Sequence, residues 1–316
     1  MSFGQRLATR WRQRGPLNFL LLPVALAFAL AVRLRQLAYR LGWRVAVRLP
    51  VPVIVVGNVT VGGSGKTPLV LYLARRLAER GRRPGIVSRG YGGRVRGVEA
   101  VSPSIRAAAV GDEPLLLARR AGCPVFVGRD RVAAARALLA AHPDCNVLIS
   151  DDGLQHLRLA RDIEIVVLDE RGLGNGWPLP AGPLRECPSR IETAHALVLH
   201  GPARPPAGVR ARRVFRLRLA GERFYNLHDA SRICTAEALR GRALRALAGI
   251  GEPARFFRQL EEMGLRAQTQ GFPDHHVFRP ADLALRGADA LLMTEKDAVK
   301  CQAFAPSETW VLPVEA

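Results

Sequence analysis

The stretch Val53-Ile-Val-Val-Gly57-Asn-Val-Thr-Val-Gly62-Gly63-Ser64-Gly65-Lys66-Thr67-Pro68 constrains the fold more than any other part of this chain. A β-branched run stops at glycines, and an apolar-periodic segment (Leu69, Val70, Leu73, Leu77) follows at once and closes at Gly81. Strand, glycine-rich turn and helix in that order make a phosphate-binding loop. Glycines let the backbone bend so that successive N–H groups and the helix N-terminus face an anion. The candidate phosphate contacts are Thr60, Val61, Gly62, Gly63, Ser64, Gly65, Lys66 and Thr67. Lys66 would reach the β- and γ-phosphates of a nucleotide such as ATP, and the Thr67 hydroxyl would hold Mg²⁺. The strict spacing G-x-x-x-x-G-K-[ST] wants glycine at position 60, where this chain has Thr60, and the glycines crowd the far end instead. Of 47 Lys and Arg residues only Lys66, Lys296 and Lys300 are lysines. A lysine in this loop is therefore not a by-product of composition, and the planar fork of arginine would not reproduce a compact ammonium.

With 316 residues, 48% of them hydrophobic, the chain is long enough for two domains and an appendage. Cys123, Cys145, Cys187, Cys234 and Cys301 are odd in number and scattered, which argues for a reducing compartment and against a zinc or disulfide framework. The formal charge of +20 calls for an anionic partner. Its distribution is more telling: residues 1–48 hold Arg6, Arg10, Arg12, Arg14, Arg33, Arg35, Arg40, Arg44 and Arg48 and no acidic residue. Inside them runs the apolar stretch from Leu17 to Val32, about 24 Å long as a helix, short of a ~30 Å hydrocarbon core and interrupted by Pro23. A cleaved export signal would carry an ATP-type loop to a compartment without ATP, so a helical hairpin or interfacial anchor is the preferred reading. Its apolar face would sit in lipid and its arginines at anionic headgroups. A helix packed on the soluble part of the protein, and a single full span, are the alternatives. Nucleic acid fits the charge, but the chain lacks the aromatic or helical elements that read it.

Further along, Pro84 to Ser88 reads as a strand running into a second glycine-rich turn, where Arg89 and Tyr91 are candidates to face a ligand at the carboxyl edge of a parallel sheet. Asp112 and Glu113 precede an apolar helix, a position that suits an N-terminal cap. A phosphotransferase also needs a carboxylate to accept the acceptor hydroxyl's proton. Asn146 to Ser150 followed by Asp151-Asp152-Gly153 matches the hydrophobic strand ending in a metal-holding aspartate, with the two aspartates not separable by pattern. The long Gly/Pro-rich segment from Gly172 to Glu186 implies a shaped functional loop. Arg213–Leu219 and Phe224–Leu227 flank a turn and read as a hairpin connector. After it, strands and helices alternate again, with a capping box at Thr294 and Asp297. The expected architecture is α/β: a basic, apolar, membrane-associating helical segment at 1–48, and a P-loop-containing α/β/α domain at 49–212. A two-stranded hairpin connector at 213–228 then leads to a smaller α/β domain at 229–316.

Taken in order, Val56-Gly57-Asn58 with Gly62-Gly63-Ser64-Gly65-Lys66-Thr67-Pro68, Ser88-Arg89-Gly90-Tyr91, Gly111-Asp112-Glu113-Pro114, Asp151-Asp152-Gly153-Leu154-Gln155, Gly174-Asn175-Gly176, Pro183-Leu184-Arg185-Glu186, Pro273-Asp274-His275 and Thr294-Glu295-Lys296-Asp297 resemble the tetraacyldisaccharide 4′-kinase family of lipid A biosynthesis. The resemblance spans about residues 50 to 300. It implies transfer of the γ-phosphate of ATP, with Mg²⁺, to the 4′-hydroxyl of a tetraacyl glucosamine disaccharide 1-phosphate. The reaction would take place at the cytoplasmic face of a Gram-negative inner membrane, with an anionic glycolipid as substrate and no protein partner evident. It further implies Asp112 as general base and His275 as its orienting partner, brought together as two domains close, with His276 the alternative histidine. Glu113, Asp151 and Asp152 become metal candidates beside Thr67, and Arg89, Tyr91, Arg131, Asn175, Arg185 and Glu186 candidates for substrate or phosphate contacts. The rival is a membrane-associated nucleotide switch acting by conformation. An ATPase of the deviant-loop type would need lysine where Val61 stands, and the guanine-reading pattern of a GTPase is off by one residue at Thr294-Glu295-Lys296-Asp297.

Overall fold

The computed structural model describes residue 11 and residues 13–316, so the charges read at Arg6, Arg10 and Arg12 lie outside the described residues. The chain divides into two compact units. The first runs to Arg89 and adds Gly97–Ala100 and Gly122–Arg218; the second comprises Gly90–Arg96, Val101–Ala121 and Leu219–Ala316.

The first unit is built on eight strands: β1 (Val53–Gly57), β2 (Pro84–Ser88), β3 (Val98–Ala100), β4 (Val125–Gly128), β5 (Val147–Asp151), β6 (Ile163–Leu168), β7 (Ala196–His200) and β8 (Val214–Leu217). Their order across the sheet is β3-β4-β2-β5-β1-β6-β7-β8, parallel throughout except for the edge strand β3. Strands covered on both faces need apolar residues at every position. β1, β2, β4, β5 and β7 are accordingly buried along their whole length. Because these strands run the same way, Gly57, Ser88, Asp151 and His200 all fall at their carboxyl ends, where open α/β sheets bind ligands. β5 is the direct neighbour of β1, with Val56 opposite Asp151, so the aspartate pair emerges beside the glycine-rich loop.

The N-terminal apolar run forms two helices, Pro16–Leu20 and Leu22–Arg40. Pro23 does not kink the longer one, because it falls in its first turn, where no backbone donor is lost. That helix is 19 residues, longer than the apolar run because it continues through Arg33 and Arg35, and by length and composition it could cross a membrane. Val24, Leu26, Leu30, Leu34 and Leu37 are exposed on it. Its other face is held by the first unit: Gln36 donates to Glu186 at 2.5 Å, and in the short helix buried Asn18 donates to the Ala181 carbonyl at 2.7 Å.

The second unit carries β9 (Arg223–Asn226), β10 (Ile233–Thr235), β11 (Leu244–Ala248), β12 (Ala267–Gly271), β13 (Ala290–Thr294) and β14 (Thr309–Leu312), ordered β10-β9-β14-β13-β11-β12. The expected hairpin is corrected in its pairing. β8 lies parallel to β7 in the first sheet, whereas β9 pairs antiparallel with β10 and β14 in the second. β9 gains two partners in its own sheet where a two-stranded ribbon would give it one. The second unit also claims the helix Asp112–Arg120 from the first half of the sequence, which packs with the helix Glu295–Cys301.

Candidate active site

In the first unit the loop between β1 and the helix Lys66–Glu79 has the conformation its glycines allow. Gly62 and Gly65 have φ of +96° and +87°, and Gly65 is the residue that starts the helix. A Cβ at Gly65 would lie 2.6 Å from Nδ1 of His200, and one at Gly62 would lie 2.8 Å from the Arg171 guanidinium. Thr60 replaces the expected glycine without strain because it is extended and buried, forming a β-bridge with Leu184, while the Val61 N–H donates to the Pro183 carbonyl.

Three side chains that the sequence reading did not single out hold this loop. Asn58, fully buried, donates to the Gly62 carbonyl at 3.1 Å and to Ser64 Oγ at 3.3 Å. Arg171 pairs with buried Asp169 at the end of β6 and donates to the Gly63 carbonyl at 2.6 Å. His200 Nδ1 lies 3.2 Å from the Ser64 carbonyl. For Arg171 and His200 the signal was position, since Asp169 and His200 sit just where β6 and β7 end; nothing in their spacing links them to a loop over a hundred residues earlier.

Lys66 is buried, its Nζ 3.5 Å from Asp152 Oδ1. Asp152 has φ +46°, which turns its carboxylate back toward the loop, and Arg185 Nη1 donates to both its oxygens at 3.1 and 3.0 Å. Burial pushes the Asp152 carboxyl up, but Lys66 and Arg185 outweigh it and hold the group at about 2. Asp151 is deeper, accepting from Ser88 Oγ at 3.3 Å. Thr67 stands at the head of the helix. This donor set suits Mg²⁺, a hard ion that takes oxygen ligands, keeps several waters, and needs only one or two carboxylates beside phosphate oxygens.

Several predicted contact residues have internal partners. Arg131 is 2% exposed and donates to the carbonyls of Gly128 and Asp151, supporting the aspartate turn from beneath. Burial lowers its guanidinium to about 10 despite the nearby Asp151 and Asp152. Asn175 is buried and shapes its own loop, donating to Ala181 and accepting from the Trp177 N–H. Glu186 is buried between Gln36, Gln155 and Arg190, and burial raises its carboxyl. Arg89, by contrast, is exposed just past the end of β2.

The second unit holds the other cluster. Gly111, at φ +96°, starts the helix Asp112–Arg120, and a Cβ there would lie 2.3 Å from the Tyr91 carbonyl. Asp112 is 4% exposed, and His275 Nδ1 lies 2.9 and 3.0 Å from its two oxygens. His275 itself takes a left-handed φ of +59° in its loop and meets the Tyr91 ring edge-on at 5.0 Å. His276 is turned elsewhere, bonding Asp282 at 3.2 Å and stacking on Phe272. The pair belongs to one compact unit, which replaces the expectation that domain closure assembles it. Burial raises the Asp112 carboxyl, but the His275 hydrogen bond and the ammoniums of Lys296 and Lys300 outweigh that and keep it below the ordinary range. Burial disfavours the His275 cation, and the bond to Asp112 more than restores it. Glu113 accepts from Lys296 at 2.8 Å, so its carboxylate is engaged in an ion pair within the second unit.

A parallel sheet carrying a glycine-rich loop with Lys-Thr at a helix head, and an acid pair at the adjacent strand end, defines a P-loop nucleotide-binding α/β protein. The buried carboxylate–imidazole pair adds a group able to accept a proton. The family described as "LpxK: Tetraacyldisaccharide-1-P 4'-kinase" matches residues 17–316. A tetraacyldisaccharide 4′-kinase of Azoarcus sp. (strain BH72) is 54% identical over 309 residues, covering 97% of this chain and 90% of the relative. That of Dechloromonas aromatica (strain RCB) is also 54% identical, over 312 residues, covering 96% and 90%. A crystal structure of the "apo" form of LpxK from Aquifex aeolicus in complex with ATP superposes with a TM-score of 0.78 at 31% identity, covering 95% of this chain and 94% of that one. The chain belongs to the tetraacyldisaccharide-1-phosphate 4′-kinase family, ATP-dependent phosphotransferases of lipid A biosynthesis. The conformational switch is not favoured.

Proposed function

We propose that this protein phosphorylates the 4′-hydroxyl of a tetraacyl disaccharide 1-phosphate with Asp112 as general base and His275 as its orienting partner. The observation that carries this assignment is the buried Asp112 carboxylate held through both oxygens by His275 Nδ1. An ionised carboxylate fixed by an imidazole can take the proton of an attacking sugar hydroxyl as the hydroxyl oxygen bonds to the γ-phosphorus and the bond to the departing ADP breaks. ATP would be cradled by residues 60–67, with Lys66 on the β- and γ-phosphates. Thr67 with Asp151 or Asp152 would hold Mg²⁺, which supplies charge neutralisation on the transferred phosphoryl group. Asp152 and Arg185 would keep Lys66 aimed while the nucleotide enters, and Arg89 and Tyr91 are the exposed residues best suited to anionic or sugar contacts. The phosphate loop belongs to the first unit and the Asp112–His275 pair to the second.

The exposed leucines of Leu22–Arg40, followed by exposed Leu41, Trp43 and Val45 and interspersed with arginines, support docking at the cytoplasmic surface of an anionic inner membrane, where the acylated substrate resides. No protein partner is needed for this reading.

The test is Asp112→Asn, which keeps size and removes basicity. Turnover should fall about 10²–10⁴-fold while ATP binding, followed by fluorescence of a nucleotide analogue, is retained. Near-normal turnover would remove Asp112 from the chemistry.

A further inference from the structure

Lys296 and Lys300, two of the chain's three lysines, sit one turn apart on the helix Glu295–Cys301. The start of that helix is fixed. Thr294 Oγ1 accepts from the Asp297 N–H, and the buried Asp297 carboxylate accepts from the Gly249 N–H at 2.9 Å. From this base Lys296 Nζ donates to Glu113 Oε1 at 2.8 Å and to Asp274 Oδ1 at 3.0 Å. Glu113 is the residue after Asp112, and Asp274 is the residue before His275. A single ammonium, 15% exposed, thus bridges the two segments that carry the proton-accepting pair, which are otherwise far apart in sequence. Lys300 is engaged with Asp297 at 2.8 Å and stands 3.9 Å from Asp112 Oδ2, adding positive charge without a direct hydrogen bond.

We infer that Lys296 is a positioning residue for the reaction: by clamping Glu113 and Asp274 it fixes the register between the Asp112 helix and the His275 loop. The inference rests on the assignment of Asp112 and His275 as the proton-accepting pair. His275 needs such a clamp because its left-handed backbone is intrinsically unfavourable for a side-chain-bearing residue and persists only when its surroundings hold it. Partly buried, charge-assisted bonds from one ammonium to both flanking carboxylates supply that restraint. Loss of alignment by about 1 Å can cost on the order of 10²-fold in rate. Because Lys296 touches the flanking residues and not the pair itself, the loss should fall on turnover.

The experiment measures steady-state kinetics of Lys296→Met, Lys296→Arg and Asp274→Asn on the full chain in lipid micelles, with Asp112→Asn as control and a thermal melt of each. The expected result is a ten- to hundredfold fall in kcat for Lys296→Met with KM for ATP unchanged, and partial recovery in Lys296→Arg, which keeps the charge and can still reach two carboxylates. Asp274→Asn, which releases the histidine arm and also removes the carboxylate 3.6 Å from His275 Nε2, should lower kcat with the same split between kcat and KM. Should Lys296→Met not fold, Asp274→Asn and Lys296→Arg decide by the same criterion. Wild-type kcat in these variants, or a loss confined to KM, overturns the inference. If Asp112→Asn is itself active, the underlying assignment fails instead, so the two failures are distinguishable.

Discussion

Removing the imidazole of His275 tests how the buried carboxylate is kept ready. In His275→Ala, Asp112 loses the donor at 2.9 and 3.0 Å from its oxygens, and at 4% exposure water has little access to replace it. The remaining ammoniums that act on it, Lys296 and Lys300 (the latter 3.9 Å away), contribute charge and no direct bond. A hydrogen bond to a charged group contributes roughly 1.5–3 kcal/mol. At about 1.4 kcal/mol per decade that is a loss of about ten- to hundredfold in kcat/KM if the bond is maintained in the transition state. The carboxyl, no longer stabilised as an anion by the imidazole, titrates at higher pH, so the acid limb of the rate profile moves upward. The decisive comparison is a double-mutant cycle. Asp112→Asn should cost about 10²–10⁴-fold alone, and adding His275→Ala to it should cost little more, because the imidazole acts through the carboxylate. The assay is initial-rate transfer of radiolabel from ATP to a tetraacyl disaccharide 1-phosphate in mixed micelles. Losses that multiply in the double variant would refute the idea that the two residues act as one unit.

Other outcomes follow from the same geometry. Gly65→Ala must adopt φ +87° with its Cβ 2.6 Å from the His200 ring. It should weaken ATP binding at least tenfold, checked by calorimetry, whereas Gly63→Ala, whose Cβ meets nothing within 4 Å, should be tolerated in folding. Gly111→Ala, aimed into the Tyr91 carbonyl at 2.3 Å, should destabilise the second unit by about 1–3 kcal/mol, read from denaturant melts. The Asp112–His275 pair should stabilise the fold most between pH 3.8 and 6.5, the ordinary values of its two groups. Its contribution declines above that window as His275, whose value is raised, loses its proton, and below it as Asp112, whose value is lowered, gains one. Comparing melts of wild type and His275→Ala across pH measures this. Deleting residues 1–48 should leave ATP binding intact and abolish flotation with anionic vesicles; undiminished flotation would assign the membrane contact elsewhere.

The parts of this protein legible in its sequence are those whose cause is local. A β-branched run, three glycines and Lys66-Thr67 dictate strand, turn and helix within a few residues, and β1 with the helix Lys66–Glu79 lie where that chemistry puts them. Asp151 and Asp152 were readable for the same reason, as the polar end of a buried strand. Residues whose role depends on a distant partner were not. Arg171 and His200 brace the phosphate loop only because the sheet order places β6 next to β1 and β7 next to β6. Lys296 looked like an ordinary helix residue inside a capping box, and its two acidic partners come from separate segments. The hairpin failed as a reading because strand propensity is local and strand pairing is not, so β8 and β9 joined different sheets. Arg131 and Asn175 have polar side chains that suit a ligand equally well on paper; burial turns them inward to backbone carbonyls.

The central claim is that the terminal phosphate of ATP is delivered to one sugar hydroxyl. It is tested most directly by phosphorus NMR of the lipid formed when the purified protein, ATP and Mg²⁺ meet a tetraacyl disaccharide 1-phosphate in micelles. The account predicts a second phosphomonoester resonance coupled to the proton at the 4′ carbon, present with wild type and absent with Asp112→Asn. Consumption of ATP with inorganic phosphate as the sole new phosphorus species, or phosphate on another hydroxyl, would contradict it.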